Sequence, residues 1–286
     1  ALAAAREVWP AWRDTPAVRR AEYLHAAAEA ARRRIFELSA YQVLEAGKQW
    51  NQAYNDVAEA IDFLEYYARQ MVALAPPRKM GSVPGEDNRY FYQPKGLAAV
   101  IAPWNFPLAI SCGMCAAALV TGNCVIYKPS NLTPVVGHTL LQLFQQAQLP
   151  PAVFNYLPAR GAEIGDYLVE HPDIDLIAFT GSMEVGLHLI ERAARTRPSQ
   201  QNVKKVIAEM GGKNAVIVDD DADLDEAVPH IIDSAFAYQG QKCSACSRVI
   251  VLESIYSRFL ARLVEAARSV KIGPAEDPAN FMGPVI

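Results

Sequence analysis

No run in this chain approaches the roughly 20 apolar residues that a bilayer-spanning helix needs. Its Ala-rich start carries Arg6, Arg13, Arg19 and Arg20 without the apolar core of a signal peptide. These absences point to a cytoplasmic protein with no membrane partner. A cationic excess is missing too: 27 Lys and Arg are intermixed with 31 Asp and Glu, giving a formal charge of -4. Without a broad basic face the chain is not built for nucleic acid or acidic lipid, and a small neutral or anionic substrate is expected instead. Cysteine is scarce: Cys112, Cys115, Cys124, Cys243 and Cys246 form an odd set in a chain long enough not to need disulfides. That fits free thiols in a reducing compartment. Cys243 and Cys246 make a Cys-x-x-Cys spacing, but a zinc site needs about four ligands. No second pair exists and none of the five histidines lies nearby in sequence, so no metal is expected. Also absent are internal repeats, low-complexity tracts, the Gly-Lys-Ser/Thr of a P-loop and the Gly-x-Gly-x-x-Gly of dinucleotide folds.

What is present is an ordinary globular composition, 286 residues with 51% hydrophobic and 20% charged, enough for one large or two moderate cores. The first residues read as helix. Apolar residues then recur at helical spacing from Ala17 to about Leu44 and, after a Gly-Lys break, from about Asn51 to Val72. Pro76, Pro77, Gly81, Pro84 and Gly85, followed by alternating Tyr90, Phe91 and Tyr92, predict an extended arm or hairpin over 76–95 that serves subunit contact. After Gly96, short apolar runs (97–101, 124–127, 153–157, 176–179, 203–208) alternate with helical patterns near 109–121, 134–147, 162–170 and 183–195. This alternation predicts an α/β protein with a doubly wound parallel sheet and ligands at the C-terminal ends of its strands. A strand at 215–218, a helix at 224–238, a strand at 249–252 and a helix at 256–270 predict the start of a second α/β domain. The expected division is 1–210 and 211–286. The last residues stop in an apolar stretch with no closing element, as in a piece cut from a longer chain.

Each motif falls at a strand end. Gly240-Gln241-Lys242-Cys243-Ser244-Ala245 sets a thiol in a small polar loop, with access for a carbonyl and backbone N–H groups to stabilise developing charge. A buried structural cysteine is the commoner fate of a lone thiol. Glu209-Met210-Gly211-Gly212-Lys213 places a carboxylate before a double glycine, where an apolar setting would raise its pKa and suit it to general-base work. Phe179-Thr180-Gly181-Ser182 joins a strand to a helix start, an arrangement that favours phosphate but also describes any plain connection. Pro103-Trp104-Asn105-Phe106-Pro107 offers an amide to an oxyanion. Lys128-Pro129-Ser130 offers a lysine to ribose hydroxyls, although most such lysines are solvated turns.

Taken in chain order (Pro-Trp-Asn-Phe-Pro, Lys-Pro-Ser, Phe-Thr-Gly-Ser, Glu-Met-Gly-Gly-Lys, Gly-Gln-Lys-Cys), the five motifs resemble those of the aldehyde dehydrogenase superfamily over essentially the whole chain. The resemblance implies a Rossmann-like cofactor domain followed by the start of a catalytic domain. It implies Cys243 as nucleophile, Asn105 and the Cys243 amide as oxyanion hole, and Glu209 as the base for deacylation. For the cofactor, NAD with NADP also open because Asn131 is not an acid, it implies Lys128 at the adenosine ribose, Gly161 near adenine, Ser182 at the pyrophosphate and Ser130 among the cofactor-binding residues. Ile101, Trp104, Thr180, Gly181 and Val185 would line the cleft. Asp56 to Arg69, Pro84 to Asn88 and Gly240 to Ala245 resemble more narrowly the 1-pyrroline-5-carboxylate (glutamate semialdehyde) dehydrogenase family of proline catabolism. There Glu59 would lie near the substrate amino group, Ser244 at its carboxylate and Phe106 on its aliphatic stem. The alternatives are another aldehyde dehydrogenase, such as one for succinate semialdehyde, or a fragment that only binds nucleotide. The narrower resemblance implies a homo-oligomer, fused to or working with a proline dehydrogenase. The family's Glu-x-Phe-Gly-Pro motif is not found before Ile286, so this piece alone is expected to be inactive.

Overall fold

The computed structural model describes residues 1–286. Four helices come first: α1 (Leu2–Asp14), α2 (Ala17–Arg33), α3 (Ile35–Ala46) and α4 (Trp50–Leu74). The stretch expected as one helix from Ala17 to Leu44 is therefore two. Arg34 leaves the helical region with φ -113° and ψ 15°, and its guanidinium reaches Glu37 at 2.7 Å and Gln142 at 3.0 Å. β-branched Ile35 then opens α3. Helices α2 and α4 pack against each other, and both bury alanines in the main core, Ala27, Ala28 and Ala31 on α2 and Ala60 and Ala68 on α4, small enough to let two backbones come close. The predicted arm is a short exposed hairpin, β1 (Arg78–Lys79) against β2 (Arg89–Tyr90).

Next comes the alternating unit: β3 (Leu97–Ile101), α5 (Ala109–Val120), β4 (Cys124–Lys128), α6 (Pro134–Gln146), β5 (Phe154–Tyr156), α7 (Gly161–Glu170), β6 (Ile174–Thr180), α8 (Met183–Ala193) and β7 (Lys205–Glu209). The five strands form one parallel sheet in the order β5-β4-β3-β6-β7, as the doubly wound reading expected. β3 and β4 are buried at every position, which is why they read as unbroken apolar runs. The chain winds outward from β3 through β5, then crosses back to β6. Where that order reverses, between β3 and β6, a crevice opens at the carboxyl ends of the strands.

Polar anchors fix the foot of β3. Asn123 Oδ1 accepts from the amides of Lys95 (2.7 Å) and Gly96 (2.9 Å), and Asp175 Oδ2 accepts from Leu97 N at 3.1 Å. Gly96 sits at φ 140° with its bare Cα against the Asp175 carboxylate, so no side chain fits there. Buried α5 has its last carbonyls satisfied from outside: Trp12 Nε1 donates to Leu119 O at 3.2 Å and Arg20 Nε to Val120 O at 2.8 Å.

Beyond Gly212 a second unit begins. β8 (Asn214–Val218) and β9 (Cys246–Val251) run parallel, joined by α9 (Leu224–Phe236), with α10 (Tyr256–Ser269) following. Its own core gathers Val218, Leu224, Val228, Ile231, Ile232, Ile255 and Phe259. No helix is long and apolar enough to cross a membrane.

Candidate active site

At the carboxyl end of β3 the prolines at 103 and 107 stop the strand and turn Trp104, Asn105 and Phe106 over the sheet. Lys128 closes β4; its side chain is buried, Nζ donates to Pro129 O at 3.0 Å, and burial lowers its pKa. Gly161 opens α7 beside the Lys128 stem, at a distance where an added Cβ would only just touch it. At the end of β6, Gly181 N donates to Glu209 O at 3.1 Å, tying β6 to β7. Ser182 caps α8, its hydroxyl accepting from Val185 N at 3.3 Å. The first turn of α8 therefore begins at the crevice, where a helix N-terminus favours an anion.

The second unit supplies the thiol. The helix expected to run to Tyr238 ends at Phe236. Three residues then take left-handed backbone in succession: Tyr238 (φ 52°), Gln239 (φ 57°) and Gly240 (φ 66°). Only the third is a glycine, so the turn is held by its surroundings. It delivers Cys243, the one exposed cysteine, to the mouth of the crevice. Asn105 Nδ2 donates to Gln241 O at 2.9 Å, and Asn214 Nδ2 donates to Cys243 O at 2.7 Å, so this loop is gripped from both units. An amide nitrogen carries two hydrogens, and Asn105 keeps one for another acceptor. Cys112, Cys115 and Cys124 are buried, and burial pushes their thiols up, that of Cys124 to about 12.

One cavity of about 950 Å³ occupies the crevice, at the upper end of the range for small-ligand sites. Its walls include Ile101, Trp104, Lys128, Ser130, Gly161, Thr180, Gly181, Ser182 and Val185, together with Asn105 and Cys243. Residues from both units, 138 positions apart in the case of Asn105 and Cys243, thus share one space. Four candidates stand off it. Glu209 and Ser244 are exposed, Phe106 is half-buried with its ring edge-on to Tyr238 (6.4 Å), and Glu59 is exposed on α4. Although the residue as a whole is exposed, partial desolvation of its carboxyl and then the Asp56 charge push Glu59 up. No apolar pocket encloses Glu209 among these residues, unlike the setting expected for it. Sequence reasoning missed Lys242, half-buried on the wall with its pKa lowered by burial, and the His188–Asp166 pair at 2.7 Å on the far wall. It also missed a buried ion pair, Lys48 with Asp56, beneath the thiol loop.

A family model described as the aldehyde dehydrogenase family matches residues 1–286. The chain belongs to the aldehyde dehydrogenase family. It is 51% identical over 286 residues to the 1-pyrroline-5-carboxylate dehydrogenase of Geobacillus thermodenitrificans, covering 100% of this chain and 56% of that protein. It is 50% identical over 287 residues to 1-pyrroline-5-carboxylate dehydrogenase 2 of Bacillus subtilis, covering 100% and 56%. Among solved structures, a 1-pyrroline-5-carboxylate dehydrogenase from Thermus with bound NAD superposes with a TM-score of 0.97 at 47% identity, covering 99% of this chain and 55% of that one. Proline utilization A from Bdellovibrio bacteriovorus gives 0.98 at 52% identity, covering 100% and 30%. This member of the family thus spans a little over half the length of the curated relatives it matches.

Proposed function

We propose that the protein carrying this chain oxidises L-glutamate γ-semialdehyde, the open form of 1-pyrroline-5-carboxylate, to L-glutamate with NAD or NADP. The observation that carries the reading is the shared cavity: an exposed thiol and an amide donor at one end, and a lysine, small residues and a helix start along the rest. About half identity to 1-pyrroline-5-carboxylate dehydrogenases over the full chain supports the substrate.

The walls fit a dinucleotide. Lys128 and Ser130 would take a ribose, Gly161 the adenine edge, and Ser182 with the first turn of α8 a pyrophosphate; Ile101, Trp104, Thr180, Gly181 and Val185 supply contact area. No carboxylate stands three residues after Lys128, where Asn131 lies, so a 2'-phosphate meets no anion at that position. When bound, the nicotinamide serves as hydride acceptor. The Cys243 thiolate attacks the aldehyde carbon, and the carbonyl oxygen, gaining negative charge, is held by Asn105 Nδ2–H and the Cys243 amide. The acyl group left on Cys243 is a thioester. Glu209 draws a proton from water, whose oxygen attacks that thioester and returns the thiolate. Glu59, Ser244 and Phe106 would meet the amino group, the carboxylate and the stem of the substrate. The 76–95 hairpin, exposed through Tyr90, Phe91 and Tyr92, would serve a homo-oligomer, and a proline dehydrogenase, fused or separate, would supply the substrate.

The test is reduced-cofactor formation by the full chain, comparing glutamate semialdehyde with succinate semialdehyde and propanal at matched concentrations. A strong preference for the first is expected; equal rates would leave only a general aldehyde dehydrogenase.

A further inference from the structure

The Lys48–Asp56 pair is almost completely shielded from solvent, at 0% and 1% exposure. Burial lowers the Lys48 pKa and raises that of Asp56, and each shift is opposed by the charge of the other. The pair touches both sides of the site. On one side, Asp56 Oδ1 accepts from Ala109 N at 2.6 Å, holding the first residue of α5 just after Asn105 and Phe106. On the other, the Lys48 ammonium lies 4.2 Å from the centre of the Phe106 ring and 4.8 Å from that of Tyr238, between the turn carrying Asn105 and the left-handed turn leading to Cys243.

The residues flanking Lys48 grip that left-handed turn directly. Gln239 Nε2 donates to Gly47 O at 3.2 Å, Gln49 Nε2 donates to Gln239 Oε1 at 3.0 Å, and Tyr238 OH reaches Ala46 O at 3.5 Å. The circuit closes at the top, where Asn105 Nδ2 donates to Gln241 O. Asp56, α5, Asn105, the thiol loop, Tyr238 and Lys48 form a ring of contacts with the ion pair at its base.

We infer that the Lys48–Asp56 pair is a positioning element for catalysis: it sets the Asn105 amide against the Cys243 loop and holds that loop in its left-handed turn. The inference rests on the reading that Cys243 and Asn105 are the reacting pair. It assigns neither Lys48 nor Asp56 any contact with substrate or cofactor.

The decisive variant, in the full chain, is the double Lys48→Met/Asp56→Asn. It retains the stem and the Ala109 acceptor, removes both charges and strands neither. Single variants leave one charge buried and unpaired, so their failure to fold carries less meaning. Turnover of glutamate semialdehyde is expected to fall on the order of 10²-fold, as for a reacting group displaced by about an ångström. Cofactor affinity, measured by fluorescence titration without substrate, should stay within about twofold, because the Lys128 and Ser182 end lies on other elements. Turnover within about threefold of wild type would overturn the inference. So would a parallel loss of turnover and cofactor binding, or failure of the double variant to fold, since the pair would then be only part of the fold. A wild type inactive on every aldehyde would instead remove the underlying reading of Cys243 and Asn105.

Discussion

Replacing Asn105 with Ala separates a catalytic amide from a structural one. In the structure its Nδ2 group makes one hydrogen bond, to Gln241 O at 2.9 Å, from a half-buried position. Losing a neutral bond of that kind costs about 0.5–1.5 kcal/mol of fold stability. Losing a donor aimed at a developing oxyanion costs about 2.7–4 kcal/mol in the transition state, or about 10²–10³ in turnover. The second term exceeds the first and appears in a different measurement. Asn105→Ala should therefore melt a few degrees lower, keep its affinity for NAD and lose two to three decades of kcat. Asn105→Asp keeps the shape but replaces the donor with an anion facing Gln241 O and the incoming oxygen, so its kcat should fall at least as far. Stopped-flow measurement of reduced-cofactor formation at saturating cofactor, alongside thermal melts, reads both effects. If Asn105→Asp turned over within tenfold of wild type, the oxyanion assignment would be wrong.

Cys243→Ala should abolish aldehyde oxidation while cofactor affinity stays unchanged; residual oxidation above a few per cent would place the nucleophile elsewhere. Glu209→Gln should leave the first turnover intact and slow the next, seen as a burst of reduced cofactor followed by a depressed steady rate. Loss of the burst itself would mean that Glu209 acts before deacylation. Glu45 accepts from Val135 N and Val136 N at the start of α6, both at 2.8 Å, yet burial pushes its carboxyl up. A carboxyl whose folded pKa exceeds its unfolded value, about 4.3, makes the fold less stable as pH rises between the two. Glu45→Gln should flatten that slope in melts taken across the window, and an unchanged slope would assign it to other groups. Gly96→Ala, which drives a methyl into the Asp175 carboxylate at positive φ, should cost more than about 1 kcal/mol.

The parallel sheet was legible because its central strands β3 and β4 are buried at every position and read as unbroken apolar runs, while prolines and glycines mark the ends where the motifs sit. Of the candidate cofactor residues, Lys128 and Ser182 stood out at strand ends, whereas Ile101, Gly161 and Val185 carry no chemical signal of their own and came from the family resemblance. The break at Arg34 was not, because helical periodicity runs through it and the interruption is decided by Glu37 and Gln142, one of them more than a hundred residues away. Lys48 figured in the sequence only as part of a Gly-Lys break between helices, since a buried lysine is recognisable only once its partner Asp56 and the rings of Phe106 and Tyr238 are placed around it. Tyr238 and Gln239 carry no residue-type signal for left-handed backbone. Their conformation is imposed by the contacts of Gln239 with Gly47 and Gln49.

Four of the five thiols are buried, three of them shifted away from ionisation, and Cys246 donates to Arg248 O at 3.3 Å. An alkylating reagent at neutral pH therefore meets one reactive sulfur per chain. Intact-mass spectra then separate folded molecules, which carry one label, from unfolded ones, in which all five thiols are open to the reagent. On the proposed role of Cys243 as nucleophile, the same arrangement concentrates chemical risk: a single oxidation there would silence a molecule whose fold remains untouched, and thiol reductants should restore it as long as the sulfur has gone no further than a sulfenic acid or mixed disulfide.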